Sequence, residues 1–553
     1  MQRIILTVIL LTVPVILNAQ TFDAESGWKQ GTYFAKKAYT KVPLPTFPQI
    51  KPELPQPIYD ENPLWVETYW KAWELAFVHF YEPAEGSGFV SPFFDAAFSE
   101  CIYLWDGSFI TMFANYASPM VSGIGGLDNF YCKQYPSGEI CREISRTTGI
   151  DLQVWVNKED RPLFSRWGFR FPEQSTPTAV QYIGRAVPIP NPKNTLDAIN
   201  HPILAWAEWE SYQITGNKNR LGLIWEPLVK YYAALQKYIR QGNGLYITDW
   251  ASMDNSSRNA WLDGGGMGID ISSEMVLFAR NLADIANVLG KEELQKFYTK
   301  EADELSAVIN KKMWNDASRF YFDLNLKEEQ CSIKTVAGFW TLIAQVASPQ
   351  QAEALSQHLQ NPNTFGRKYP VPTLAADEKA YSSEGQYWCG SVWAPTNTMV
   401  IRGLDKYGYN DLAYSIALKH IEEVAEVYKQ TGTIWENYSA DSAACGLMNG
   451  HQARKDFVGW SGIGPISYLL EYAIGLKPDA ANNTLVWNIR SNKPVGCRNY
   501  RFNGHTVHLI AKEKVIEIDS DGAFTLFIQI GQRTVEKKII KGHQYIEIPI
   551  GNL

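Results

Sequence analysis

Apolar residues recur at three- and four-residue intervals in segment after segment between residues 64 and 480, as in WVETYWKAWELAFVHFY, HPILAWAEWESYQITG, LIWEPLVKYYAALQKYIRQG, ISSEMVLFARNLADIANVLG and NDLAYSIALKHIEEVAEVYKQTG. That spacing gathers the apolar side chains into one stripe per segment and predicts helices. Several segments stop at Gly, which takes up the left-handed turn at a helix C-terminus without strain. Between them lie long stretches rich in Gly, polar and aromatic residues, among them CIYLWDGSF, TDWASMDNSSRNAW, AYSSEGQYWCGSVW and GTIWENYSADS, which read as loops. Roughly 35 residues per helix and loop gives about twelve helices, which suits an all-α (α/α)6 barrel with a pocket lined by the loops at one end, although other helical arrays share the spacing.

From 484 to 553 the period changes to two. Val507-His508-Leu509-Ile510, Val515-Ile516-Glu517-Ile518 and Phe524-Thr525-Leu526-Phe527-Ile528 alternate between Gly and Asp turns, the pattern of a small C-terminal all-β sandwich. Residues 20–63 form a third zone. Prolines at 43, 45, 48, 52, 55, 57 and 63 exclude a helix interior or a central strand, so an extended arm over the surface is expected. Residues 1–19 have the layout of a secretory signal peptide, with Arg3, an apolar run from Ile4 to Leu17 and a small residue, Ala19, at the cut. A periplasmic or secreted location follows, with Gln20 near the mature N-terminus. No later stretch approaches the roughly 20 uninterrupted apolar residues of a membrane span, so no membrane insertion is expected.

Charge and composition narrow the partners. A formal charge of −7 with no basic run gives no attraction to nucleic acid, and favours a neutral substrate. The 19 Trp would suit the stacking of sugar rings, but large aromatics are also ordinary core material. Of seven Cys, only Cys132 and Cys141 are spaced for a local bridge across the Gly138 turn. There is no CxxC and no HExxH, so no catalytic metal and no cofactor is expected, while a structural calcium in a loop is not legible. The oligomeric state is not legible.

Two carboxyl groups stand out in aromatic loops. Asp254, in SMDNSSR, lies between Trp250 and Trp261, where apolar surroundings would keep a carboxyl protonated. The same Asp-Asn-Ser string also makes turns and helix N-caps, so its local context leaves both readings open. Glu436, in TIWENYSAD, sits between Trp435 and Tyr438 beyond the helix-ending Gly432. A protonated and an ionised carboxyl on opposite sides of a glycosidic bond are what glycoside hydrolysis needs. Glu384, Asp441 and Asp456 compete with Glu436 for the ionised role.

The string SMDNSSR resembles the SGMDNSPR segment of glycoside hydrolase family 63 and, more distantly, the ESGWDFSSRW segment of the family 37 trehalases of the same clan. QYWCGSVWAP, after YPVPTLAADEKAY, resembles the YWRGPVW element of family 63. WENYSAD resembles its ENYN segment, and YLWDGSF its YxWD element. The resemblance implies an (α/α)6 barrel, Asp254 as general acid and Glu436 as general base. It also implies that Trp105, Asp106, Tyr387, Trp388 and Trp393 contact the sugar, with Trp206, after an HP element, and Trp460 in DFVGWSG as further candidates that core packing would explain equally. The bacterial mannosylglycerate hydrolases are the nearest subgroup in size.

The family pattern is broken at Ser252 and Ser257 in the acid loop and at Cys389 and Ser391 in the YWRGPVW-like element, which puts specificity for glucose in doubt. The expected activity is inverting hydrolysis of an α-linked glucoside, mannoside or related oligosaccharide, with the two carboxyls roughly 6.5–9.5 Å apart. Two other classes share this frame: a carbohydrate-binding protein that has lost catalysis, and a disaccharide phosphorylase in which phosphate replaces the base.

Overall fold

The computed structural model describes residues 37, 39–134, 138–149, 201–248, 253–262, 266–513 and 515–547. Six helical segments follow one another round a ring of neighbours. Leu104–Ala114 packs on Leu204–Thr215, which packs on Ile269–Val288. That helix packs on 336–343, which packs on Ala394–Lys406. Residues 461–473 then close back onto Leu104–Ala114. Pro63–Val78, Lys218–Ile239, Glu292–Met313 and Asn410–Thr431 pack on the outside of these.

The two sets differ in how they bury their residues. Glu292–Met313 buries Tyr298, Ala302, Leu305, Ser306, Ile309 and Met313, a single stripe at helical spacing. Leu104–Ala114 is buried everywhere except Gly107, and Gly464–Ala473, a π-helix, is buried throughout. A helix surrounded by other helices has no polar face. For that reason YLWDGSF, which reads as a loop, is the start of an inner helix, and Asp106 lies in its first turn.

Local chemistry sets the helix ends. Pro63 opens Pro63–Val78, where its missing N–H costs nothing. Ser348 and Gln351 form a capping box ahead of Pro349–Gln360. Gly216 (φ +66°) and Gly432 (φ +74°) close their helices in the left-handed region.

Two larger sheets stand beside the helices among the described residues. One has the order Gln56–Tyr59, Val495–Phe502, His505–Lys512, Val515–Ser520, Gly542–Glu547, antiparallel throughout. The other has the order Leu476–Asp479, Thr484–Asn488, Phe524–Ile530, Arg533–Ile539, its middle pair parallel. The sheets meet where Phe502 and Phe524 lie edge to face at 5.1 Å. The Pro-rich stretch is more than a surface wrap, since Gln56–Tyr59 supplies the edge strand of the first sheet and Leu54 is fully buried. The sheets are tied to the helical ring by Trp487, whose indole N–H donates to Ile474 O at 3.0 Å, and by Asn503 N–H donating to Ile214 O at 2.8 Å.

Cys132 is a buried thiol donating to Asn129 O at 3.2 Å, and the bridge to Cys141 suggested by their spacing is not made. Among the described residues no helix is long and apolar enough to cross a membrane. The signal-peptide stretch 1–19 and Trp250 lie outside the described residues.

Candidate active site

The N-terminal ends of the inner helices carry the candidate residues. Asp106 stands in the first turn of Leu104–Ala114, Trp393 immediately precedes Ala394–Lys406, and Trp460 immediately precedes 461–473. The loop that carries Asp254 stands before Ile269–Val288 and is anchored to its first turn. Arg258, fully buried, donates to Asp323 Oδ1 at 2.9 Å and pairs with Asp270, while Asp323 also accepts from Ile269 N–H. Within the loop, Ser256 N–H donates to Met253 O and Asn259 Nδ2 donates to the carbonyls of Met253 and Asp254, so backbone and Asn259 hold the turn.

The Arg258 clamp carries a prediction. Arg258→Met strands two carboxylates in the interior, a defect that costs about 3–5 kcal/mol. Burial already raises the Asp323 carboxyl above its ordinary value, and the variant, without the opposing guanidinium, raises it further. A carboxyl whose pKa is raised by folding is stabilising only while protonated, so the loss should grow as pH rises. Urea unfolding at pH 5 and pH 8 measures it; equal midpoints for wild type and variant at pH 8 would contradict the clamp.

The loop is then stitched to the YWCGSVW element. Asn255 Nδ2 donates to Gln386 O at 3.0 Å, Trp388 N–H donates to Asn255 Oδ1 at 2.9 Å, and Cys389 Sγ donates to Asn255 O at 3.3 Å. These bonds hold Gln386 (φ +46°) and Tyr387 (φ +64°) in the left-handed region, which costs a non-glycine residue about 1–3 kcal/mol. The bend brings the Tyr387 hydroxyl to Glu436, donating to Oε1 at 3.2 Å. A short ladder, Ser391–Val392 against Tyr438–Ser439, fixes the same two segments from the other side.

Glu436 is buried and strongly held. Trp460 Nε1 donates to its backbone carbonyl at 2.9 Å and Ser461 Oγ at 3.2 Å, while Arg454 donates both its backbone N–H, to Oε2 at 3.4 Å, and its guanidinium, to Oε1. Trp460 thus holds the backbone of Glu436. Trp388 stacks on Trp393 at 4.5 Å and 10°, with Tyr387 edge-on to Trp393 at 4.8 Å, so all three aromatics form one buried wall.

The electrostatics tie Asp254, Glu436 and Asp106 into one group. Burial, helped by the charge of Glu436 and opposed by Arg142 and Arg454, raises the carboxyl of the half-buried Asp254 to about 6. Burial also raises Glu436, against the pull of Arg454 and the Tyr387 hydrogen bond. Asp106 is raised well above the usual range by burial, then by Asp95 and more weakly by Glu436, and its Oδ1 has no hydrogen-bond partner among the described residues. Trp105 packs at 4.2 Å on His201, which is paired with Glu274.

Trp206 stands apart. It is buried edge-on to Phe109 and Trp340, and its indole N–H donates to Glu210 at 2.9 Å, toward the opposite end of the ring. Of the rival carboxyls, Asp441 is engaged by Arg367 and Tyr381, Asp456 is exposed and accepts from Thr433, and Glu384 is exposed. Arg454 was reached by no motif. It lies 18 residues beyond Glu436, and the pairing of Trp435 with Lys455, with Glu436 N–H donating to Arg454 O at 2.9 Å, brings it alongside.

Residues 155–461, more than half of the chain, match the mannosylglycerate hydrolase MGH1-like glycoside hydrolase domain. The chain belongs to this family, within glycoside hydrolase family 63. Its relatives include an uncharacterised protein of Borreliella burgdorferi, 30% identical over 308 residues, 54% of this chain and 64% of that one. A periplasmic trehalase of Escherichia coli is 25% identical over 202 residues, 35% of this chain and 33% of the trehalase. The chain therefore spans less than two thirds of the length of either relative. Among solved structures, the family 63 mannosylglycerate hydrolase of Thermus thermophilus with glucose superposes with a TM-score of 0.51 at 18% identity, over 72% of this chain and 98% of that one. At that identity the likeness speaks for the fold.

Proposed function

We propose that this family member is an exported, inverting α-glycoside hydrolase, its ring of helices an (α/α)6 barrel, with Asp254 as general acid and Glu436 as general base. The observation that carries this reading is the unequal treatment of two neighbouring carboxyls. Burial raises both groups; Asp254, raised to about 6, keeps its proton in mildly acidic solution, while the Arg454 guanidinium and the Tyr387 hydroxyl bonded to Glu436 pull that group back toward its ionised form. Asp106, a buried carboxyl with an unspent acceptor, suits a sugar hydroxyl, and the Tyr387–Trp388–Trp393 wall suits the apolar face of a ring. The substrate class follows from the relatives' names, a mannosylglycerate hydrolase and a trehalase, and is an α-linked glucoside, mannoside or related oligosaccharide. Export rests on the layout of residues 1–19.

The test is a screen of α-linked glucosides, mannosides and galactosides, with the first-formed anomer read by proton NMR before mutarotation. The β-anomer should appear first. An α-anomer would replace inversion by retention, turnover that requires inorganic phosphate would indicate a phosphorylase, and binding without turnover a lectin-like protein.

A further inference from the structure

At the far end of the helical ring from Asp254 and Glu436 lies a cavity of about 300 Å³. Its walls come from the opposite ends of the same inner helices: Glu210 in the second half of Leu204–Thr215, Arg402 and Asp405 at the end of Ala394–Lys406, and Glu471 at the end of Gly464–Ala473. Lys477, on the first strand of the smaller sheet, closes it. We propose that this cavity is a second, non-catalytic site that binds one ring of a neutral sugar.

Three properties of the walls select that ligand. The lining carboxylates Glu210, Asp405 and Glu471 are balanced by Arg402, Lys406 and Lys477, so no net field favours an ion. The polar atoms are fixed beforehand: Arg402 pairs with Glu471 at 2.5 Å and Glu210 at 3.3 Å, and Lys477 with Asp405 at 2.6 Å. Glu210, Arg402 and Asp405 each keep about a fifth of the side chain exposed, so donors and acceptors alternate around the wall. A hydroxyl both donates and accepts, and neighbouring hydroxyls on a ring match such an alternation where a purely anionic or cationic ligand cannot. Trp209, half-buried against Tyr212 at 5.5 Å, supplies an aromatic wall for the ring's C–H face. The volume lies at the lower limit of small-molecule sites, enough for one ring and too little for a chain of them.

The full chain, labelled with 5-fluorotryptophan, tests this by fluorine NMR, with the Trp209 resonance assigned through Trp209→Phe. D-glucose, D-mannose and D-galactose are the neutral probes, and glucuronate and glucosamine the charged ones. At least one neutral hexose should shift the Trp209 resonance saturably, at lower concentration than either charged probe. Lys477→Met and, independently, Glu210→Gln should each raise that midpoint roughly tenfold, the effect of one lost hydrogen bond to a charged group. Three hexoses that leave the Trp209 resonance in place, a charged probe that binds more tightly, or wild-type midpoints in both folded variants would each overturn the assignment. The readout is Trp209 itself, so it is independent of whether the carboxylate pair hydrolyses anything.

Discussion

Glu436→Gln is expected to lower kcat by roughly 10²–10⁴-fold for every substrate, whatever its leaving group, because a proposed base that takes a proton from water serves all of them. KM should change little. The amide keeps an oxygen for the Tyr387 hydroxyl and the Arg454 guanidinium, and the backbone of residue 436 stays fixed by Trp460 and Ser461, so the pocket keeps its shape. What the amide cannot do is accept the proton. Steady-state kinetics on one activated and one unactivated glycoside measures this. A variant with near-normal turnover would remove Glu436 from the mechanism and leave its dense set of hydrogen bonds as structure alone.

Glu436 is held so firmly for a physical reason. A carboxylate enclosed by protein would drift toward its neutral form, and burial does raise Glu436. Arg454 opposes the drift. Since Arg454 keeps 45% of its side chain exposed, its charge remains solvated while it touches Glu436, and the ion pair avoids the full desolvation of a buried pair. The guanidinium also lies over the Phe98 ring at 4.7 Å, which fixes its direction.

How much of this can be read in the sequence depends on which side of each element faces water. Outer helices such as Glu292–Met313 have a polar face, so their apolar stripe is legible in the sequence. Leu104–Ala114 is buried on all sides and shows no stripe, so YLWDGSF reads as a loop and Asp106 is placed outside the helix that carries it. The loops that meet at the site are legible through motifs, but their mutual contacts are not. Nothing in the chain's order announces that Asn255 will bind both Gln386 and Trp388, or that Arg454 will return to Glu436, because these contacts are set by the ring bringing distant loops together. Trp206 and Trp460 illustrate the limit for a single residue type. One indole N–H points to Glu210 at the far end and the other to the backbone of Glu436, and no local pattern distinguishes them.

Asp254→Asn should separate substrates that Glu436→Gln treats alike. If Asp254 protonates the departing oxygen, its loss should cost roughly 10²–10⁴-fold in kcat/KM for an alkyl or sugar leaving group, and far less for a leaving group that departs without a proton, such as fluoride or dinitrophenolate. The pH profile supplies an independent check. Burial raises Asp254 to about 6, so its acid form is lost as pH climbs through that value, and wild-type kcat/KM should fall on the alkaline side from there. On the acid side the rate should fall as Glu436 takes up a proton, at a pH above the ordinary carboxylate value because burial raises this group as well. The profile should be a bell whose apparent constants belong to the interacting pair. In Asp254→Asn the alkaline limb should vanish while an acid limb remains, because Glu436 still titrates. An alkaline limb that survives the substitution, or a rate loss equal for good and poor leaving groups, would show that the proton comes from another residue.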